Sequence, residues 1–206
     1  TENLMGIKRA KGSYQKAKKP ILINDLKLIV NAIDEDKNEK NKFKNRALIL
    51  VGFAGGFRRS ELVAIHYEDV DFVPEGVKIF VKRSKTDQSG EGMTKGIPYF
   101  SNPDYCPVIS LKNWLEKSEI KSGKIFDMSD KSVALTVKKY TAIVGLDSDK
   151  YSGHSLRSGF ATSTAELGAE ERSIMAMTGH KTTQMVRRYI QEANLFKNNA
   201  LNKVKI

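Results

Sequence analysis

The sequence predicts an α+β fold, mainly α, in which one helical domain carries a small three-stranded antiparallel sheet. Two observations lead there. From residue 21 onward most apolar residues recur every three or four positions, the period of a helix with one buried face. Between residues 68 and 100 the period drops to two, and turn-forming residues interrupt the run. With 206 residues, 40% of them hydrophobic, and no internal repeat or low-complexity tract, the chain can bury one core.

Residues 1–20 stand apart from this pattern. They hold Lys8, Arg9, Lys11, Lys16, Lys18 and Lys19 against the single acid Glu2, with few apolar positions. Such a stretch cannot bury enough surface to order itself, so it reads as a basic arm or interdomain linker ending at Pro20. A chain that opens at Thr1 rather than Met is expected to be a fragment or a processed product.

Asn24 is expected to cap the first helix, which turns Leu26, Ile29, Val30 and Ile33 inward. A second helix is expected over about 41–53, with Ala47, Leu48, Leu50 and Val51 inside. Gly52, Gly55 and Gly56 then loosen the backbone before a short helix that starts within Phe57-Arg58-Arg59-Ser60-Glu61-Leu62 and ends near Ile65. Val77, Ile79 and Val81 alternate with Lys78, Phe80 and Lys82 as a strand, with partners expected at 69–73 and 94–100. Pro74-Glu75-Gly76 makes one turn, and residues 85–92 make a longer loop. Helical patterning resumes at 106–118, where Val108, Leu111, Trp114 and Leu115 share a face, and continues at 130–145, 155–167, 170–178 and 183–192. Gly168 and Gly179 fall where C-caps are expected. The domain thus spans 21–192, and residues 193–206, with Leu195, Phe196, Leu201 and Val204, read as a weakly amphipathic tail helix.

The charge narrows the choice of partner. Thirty-five Lys+Arg against 24 Asp+Glu leave +11 at pH 7, and the pI is near 9.6. A polyanion, most simply nucleic acid, is the expected partner. No apolar run approaches the roughly 18–20 residues that span a bilayer, and no basic-then-apolar leader opens the chain. The single Cys106 excludes an intramolecular disulfide and fits a reducing compartment, so a cytoplasmic location is expected. His66, His154 and His180 lie far apart and form no pair at metal-ligand spacing. Gly52-Phe53-Ala54-Gly55-Gly56 lacks the lysine of a P-loop and the strand context of a dinucleotide fingerprint. No metal, nucleotide or flavin cofactor is expected.

What remains is a dispersed set of cations and hydrogen-bonding groups. Arg58 sits at a glycine-preceded helix start and Lys85 in the hairpin loop. His154 and Arg157, three apart, share one helix face. His180 follows Gly179, and Tyr189 lies nine residues on in the next helix. Singly, each has an ordinary explanation: a surface arginine, a solvated lysine, satisfied core histidines, a half-buried tyrosine. Together and in order they mean more. Gly56-Phe57-Arg58-Arg59-Ser60-Glu61-Leu62, Ser84-Lys85-Thr86, Gly153-His154-Ser155-Leu156-Arg157, and Gly179-His180 followed by Tyr189 closely resemble the tyrosine recombinases, the phage integrase family. The resemblance covers about residues 21–192.

The resemblance implies the catalytic domain of a DNA breaking-rejoining enzyme. It implies a site-specific recombinase that cleaves and rejoins DNA through a covalent 3′-phosphotyrosyl intermediate, in integration or excision, without metal or ATP. Elementary chemistry agrees with the residue types. Breaking a phosphodiester without metal requires neutralising charge on its nonbridging oxygens, and two arginines offer bidentate forks for that. A tyrosine hydroxyl, with a pKa near 10, needs a cationic pocket and a base within reach. By resemblance, Arg58 and Arg157 hold the phosphate, Tyr189 attacks it, and Lys85 protonates the leaving 5′-oxygen. His154 serves as acid/base to the tyrosine, and His180 hydrogen-bonds a nonbridging oxygen. Lys82 is the fallback for Lys85, and Lys95 is less favoured. Arg59 rivals Arg58, but the spacing to Ser60-Glu61-Leu62 favours Arg58, and Glu61 reads as structural.

Arg187 and Arg188, with the arm cations, are candidates for contacts along the duplex. The implied partners are double-stranded DNA and further copies of the chain, four in a synapse, with accessory DNA-bending proteins. The implied setting is a bacterial or phage-encoded, nucleoid-associated protein. The family's amino-terminal DNA-clamping domain is not within these residues, and the arm looks like the linker that would join it. A type IB topoisomerase-like nicking-closing enzyme and a catalytically inactive DNA-binding relative are the alternatives.

Overall fold

A computed structural model describes residues 18–82, 91–180, 182–194 and 200–204. Three helices open the domain: α1 (Ile23–Asp34), α2 (Glu39–Ala54) and the short α3 (Arg59–Val63). Strands β1 (Val70–Val73), β2 (Gly76–Val81) and β3 (Met93–Pro98) follow. Then come α4 (Pro107–Ser118), α5 (Asp130–Ile143), α6 (His154–Glu166), α7 (Glu171–Thr178) and α8 (Thr183–Asn194). The expected mainly helical fold with one small sheet is what is found.

Local chemistry explains where the boundaries differ from expectation. Asn24 does not cap α1, because the extended N-cap residue is Leu22 and Asn24 lies inside the first turn. Helix α2 starts earlier than about 41, since the Asn38 side chain accepts a hydrogen bond from the Asn41 backbone N–H at 2.9 Å. Strand β3 stops at Pro98 rather than 100, and Phe100 N–H donates to Cys106 Sγ at the approach to α4. Helix α7 ends on Gly179 in the left-handed region, φ 64°, as the glycine's position predicts. Helix α8 runs on into the tail as far as Asn194, and Ala200–Lys203 form a 3₁₀ turn. Leu195 and Phe196 lie outside the described residues.

The sheet has the order β1-β2-β3, all antiparallel. Its register pairs Val77 with Ile97 and Ile79 with Lys95, so the inward row of β2 meets the inward row of β3. Helix α2 is the centre of the molecule. From Ala47 to Ala54 every residue is buried, because one side faces the sheet and α4 while the other faces α1 and α5. Phe57, Ile79, Trp114 and Phe126 belong to the first of these cores, and Ile29, Ile33, Val137 and Leu156 to the second. A third, smaller cluster of Ala161, Ala165, Ile174 and Val186 joins α6, α7 and α8.

Helix α6 passes directly under the chain that enters α1. Ile21 N–H donates to the Ser155 carbonyl at 2.9 Å, and Lys19 N–H to the Lys150 carbonyl at 2.7 Å. A Cβ on Gly159 would lie 2.0 Å from the Ile21 carbonyl oxygen, so only glycine permits this backbone contact. Among the described residues, no helix is long and apolar enough to cross a membrane.

Candidate phosphate-binding and nucleophile site

The site is assembled around the turn that ends α2. Gly56 takes a left-handed conformation, φ 54°, and its carbonyl accepts from Arg157 Nη1 at 2.8 Å. The next residue but one, Arg58, is the extended N-cap of α3. Its backbone N–H and its Nη1 both donate to the Glu61 carboxylate, at 2.9 and 2.5 Å. Burial raises the Glu61 carboxyl pKa, but Arg58 and Lys95 outweigh that and hold it below the ordinary value. Glu61 therefore stays charged and aims the Arg58 guanidinium, the structural part expected of it.

Arg157 is almost fully enclosed, at 1% exposed, yet its Nη2 makes no hydrogen bond among the described residues. Burial and the neighbouring Arg58 cation bring its pKa down to about 10, against the pull of Glu61 and Tyr189. It is still charged at neutral pH. A buried cation with an unused donor beside a second guanidinium is an anion-binding arrangement.

Two imidazoles flank it. His154 is the first residue of α6 and is exposed, one turn before Arg157. Partial loss of hydration, then the cations Arg157, Arg58 and Arg59, hold its pKa below the ordinary value. His180 is buried just past Gly179, with Nδ1 2.7 Å from the Thr178 hydroxyl. Burial, followed by Arg157, Arg58, His154 and Lys95, pushes its pKa down to about 4. Both rings are therefore neutral at pH 7. Tyr189, half-buried on α8, has its ring centroid 6.0 Å from that of His180 and packs on the third core cluster.

The structure thus brings Arg58, His154, Arg157, His180 and Tyr189 into one neighbourhood from four separate chain segments. Lys85 lies outside the described residues. Its fallback Lys82 is occupied elsewhere, in an ion pair with Asp69 at 2.8 Å. Lys95 is not in a hairpin tip at all. It is 1% exposed beneath the site, donating to the Gly55 and Met177 carbonyls at 2.7 and 2.5 Å. Its Nζ lies 4.0 Å from Glu61 and 4.5 Å from the centre of the Phe57 ring. Burial lowers its pKa to about 7, despite Glu61. A lysine at the inward parity of a period-two strand is the sequence signal for this buried position.

The remaining cations are peripheral. The Arg59 stem lies over Gly153, where a Cβ would come within 2.4 Å of it, and its guanidinium is 3.7 Å from Asp130. Arg187 Nε is 3.5 Å from Glu171, and Arg188 is exposed. Lys18 Nζ donates to the Asp149 carbonyl at 2.5 Å, and Lys19 is exposed. Lys8, Arg9, Lys11 and Lys16 lie outside the described residues. Among the described residues, no cluster of three His, Cys, Asp or Glu could hold a metal ion.

A helical domain folded round this sheet, with this order of segments, is the tyrosine recombinase catalytic-domain fold. Solved structures of the XerA recombinase (18% identical, TM-score 0.69, 93% of this chain and 67% of that one) and of XerH (20%, TM-score 0.69, 91% and 56%) share it. So does a lambda integrase dimer bound to a COC′ core site (18%, TM-score 0.60, 94% and 53%). The pattern of the phage integrase family matches residues 21–195. An integrase/recombinase xerD homolog of Selenomonas ruminantium is 46% identical over 213 aligned positions, covering 98% of this chain and 62% of that protein. Tyrosine recombinase XerC of Rickettsia prowazekii (strain Madrid E) is 30% identical, covering 87% of this chain and 58% of that protein. The chain belongs to the phage integrase family, the tyrosine recombinases. It spans about three fifths of the length of these curated relatives.

Proposed function

We propose that the chain is the DNA-cleaving and rejoining part of a site-specific recombinase, acting through a covalent 3′-phosphotyrosyl link. The observation that carries this reading is Arg157, a buried charge whose Nη2 donor is left unused beside Arg58 and close to Tyr189. A scissile phosphodiester supplies the missing acceptor and the missing negative charge. The Tyr189 oxygen then attacks phosphorus, forming the O–P bond as the P–O5′ bond breaks. The tyrosine proton passes to a neutral imidazole, His154 or His180, and Lys85 protonates the departing 5′-oxygen. Reverse attack by the 5′-hydroxyl restores the diester, so the energy of the broken bond is kept and no ATP is needed.

The relatives support this substrate. The curated ones carry recombinase names, and the XerH structures are pre-cleavage and post-cleavage complexes with a difH substrate. The experiment is a nicked suicide duplex that traps the covalent product. The intact chain forms an adduct and Tyr189→Phe forms none; an adduct that survives the substitution would remove Tyr189 as nucleophile. Relaxation of supercoiled DNA lacking any cognate site would favour the topoisomerase-like alternative instead.

Assembly belongs to the same reading. A groove of about 580 Å³, lined by Leu26, Phe53, Pro98, Phe160 and Leu167 among others, opens between α1, β3 and α6. In the tail, Leu201 and Val204 are 71% and 55% exposed. The tail of one copy seats these apolar side chains in the groove of the next, linking the subunits of a tetrameric synapse on DNA.

A further inference from the structure

The contact between Thr178 and His180 decides the position of a proton. The Thr178 hydroxyl oxygen lies 2.6 Å from the Ile174 carbonyl oxygen and 2.7 Å from Nδ1 of His180. A hydroxyl has one hydrogen, and a carbonyl oxygen has none to give. The short contact to Ile174 therefore uses the Thr178 proton. The contact to His180 is then a hydrogen bond only if Nδ1 carries a proton of its own. The reverse arrangement would press two oxygen lone pairs together at 2.6 Å with no hydrogen between them. Solvent offers little relief, because Thr178 is 0% and His180 8% exposed. The backbone fixes the pair as well: α7 ends at Thr178, and left-handed Gly179 folds residue 180 back onto residue 178.

We propose that Thr178 is a positioning residue that holds His180 as its Nδ1–H tautomer, leaving Nε2 as the proton acceptor for the Tyr189 hydroxyl. The imidazole is neutral at pH 7, since burial and the facing cations Arg157, Arg58 and Lys95, with His154, disfavour its protonation. Nε2 therefore carries a lone pair, and the Tyr189 ring lies beside the imidazole, 6.0 Å away between ring centroids. This rests on the cleavage reading above and gives its proton a destination. As the Tyr189 oxygen bonds to phosphorus and the P–O5′ bond breaks, the hydroxyl proton moves to Nε2. The resulting imidazolium then has an Nε2–H to offer a nonbridging oxygen, and it returns that proton to Tyr189 on rejoining. The role that the family resemblance implies for His180, donation to the phosphate, thus becomes available only after the proton has moved.

The test joins a spectroscopic readout to a rate. In ¹⁵N-histidine-labelled protein at pH 7, His180 is expected to show its proton on Nδ1. Thr178→Val should move it to Nε2, and Thr178→Ser should return it to Nδ1. Single-turnover cleavage of the nicked duplex should fall about tenfold or more in Thr178→Val and recover in Thr178→Ser. A wild-type proton on Nε2 overturns the proposal, as does a Thr178→Val protein that keeps the wild-type tautomer. A tautomer switch with unchanged cleavage overturns the acceptor role. If Thr178→Val fails to fold, the wild-type and Thr178→Ser spectra and rates still decide. Absence of any adduct from wild-type protein would overturn the cleavage reading and the acceptor role, while the tautomer is read separately.

Discussion

His180 and Arg157 are ionisable side chains enclosed by protein within one cationic pocket, and burial acts on them in the same direction. It disfavours the charged form of both, but from very different starting points. Arg157 starts so high that it stays charged at about 10, whereas His180 falls to about 4 and is neutral at pH 7. The pocket therefore separates a fixed charge from a neutral imidazole, and among the described residues no carboxylate is paired with the ring. The folded state binds no proton at His180 until the pH nears 4, while the unfolded chain binds one from about 6.5. The contribution of His180 to stability is thus full above about 6.5 and falls as the pH drops through this window, by about 3 kcal/mol. Melting temperatures from pH 7 to 4.5, before most carboxylates titrate, should show this decline, and His180→Gln should flatten it.

At the scale of elements, Lys95 ties β3 to the turn after α2 and to the end of α7 through two carbonyls. Those two segments carry Arg58 and His180, so one side chain of the sheet braces both walls of the site. Lys95→Met keeps the volume and removes the donor, and should cost about 1–3 kcal/mol in urea unfolding. A larger rise in amide exchange is expected at 177–180 than in α4. This brace shows where the sequence was readable and where it was not. The inward rows Leu26, Ile29, Val30, Ile33 and Val77, Ile79, Val81 announced α1 and β2 through periodicity alone, and all are buried. Arg58, Arg157, His180 and Tyr189 were legible only through the resemblance of the segments that hold them, and the fold brings those segments together. Lys95 was passed over because its meaning is a long-range one: its partners are 40 and 82 residues away. The Thr178 contact was missed for a different reason, since no pattern in a sequence counts the hydrogens on a hydroxyl. Helix ends slipped by a residue or two at Leu22 and Asn38, where capping competes with intrinsic propensity.

For the whole molecule, the +11 charge has two destinations. On the proposed function, a few cations act on the scissile phosphate, and the remaining basic residues, those of segment 8–19 among them, act on the flanking duplex. If six to ten phosphates are neutralised, affinity should drop by roughly 10³–10⁵ between 50 and 200 mM salt, measured by titration of a labelled duplex. A flat salt response would remove the role of the peripheral cations. Removing residues 193–206 should weaken higher-order assembly on DNA while leaving cleavage of a single nicked duplex intact. Unchanged assembly in sedimentation would sink the docking of the tail.

The backbone contact between Ile21 and α6 has a mechanical side. The hydrogen bond from Ile21 N–H to the Ser155 carbonyl sits one residue after His154 and two before Arg157. Tension drawn along the chain from its amino-terminal side therefore meets α6 before it meets α1. Gly159 seats that junction with no side chain between the two backbones to act as a cushion. Residues 19–21 are in this sense a lever whose fulcrum is the helix that carries Arg157.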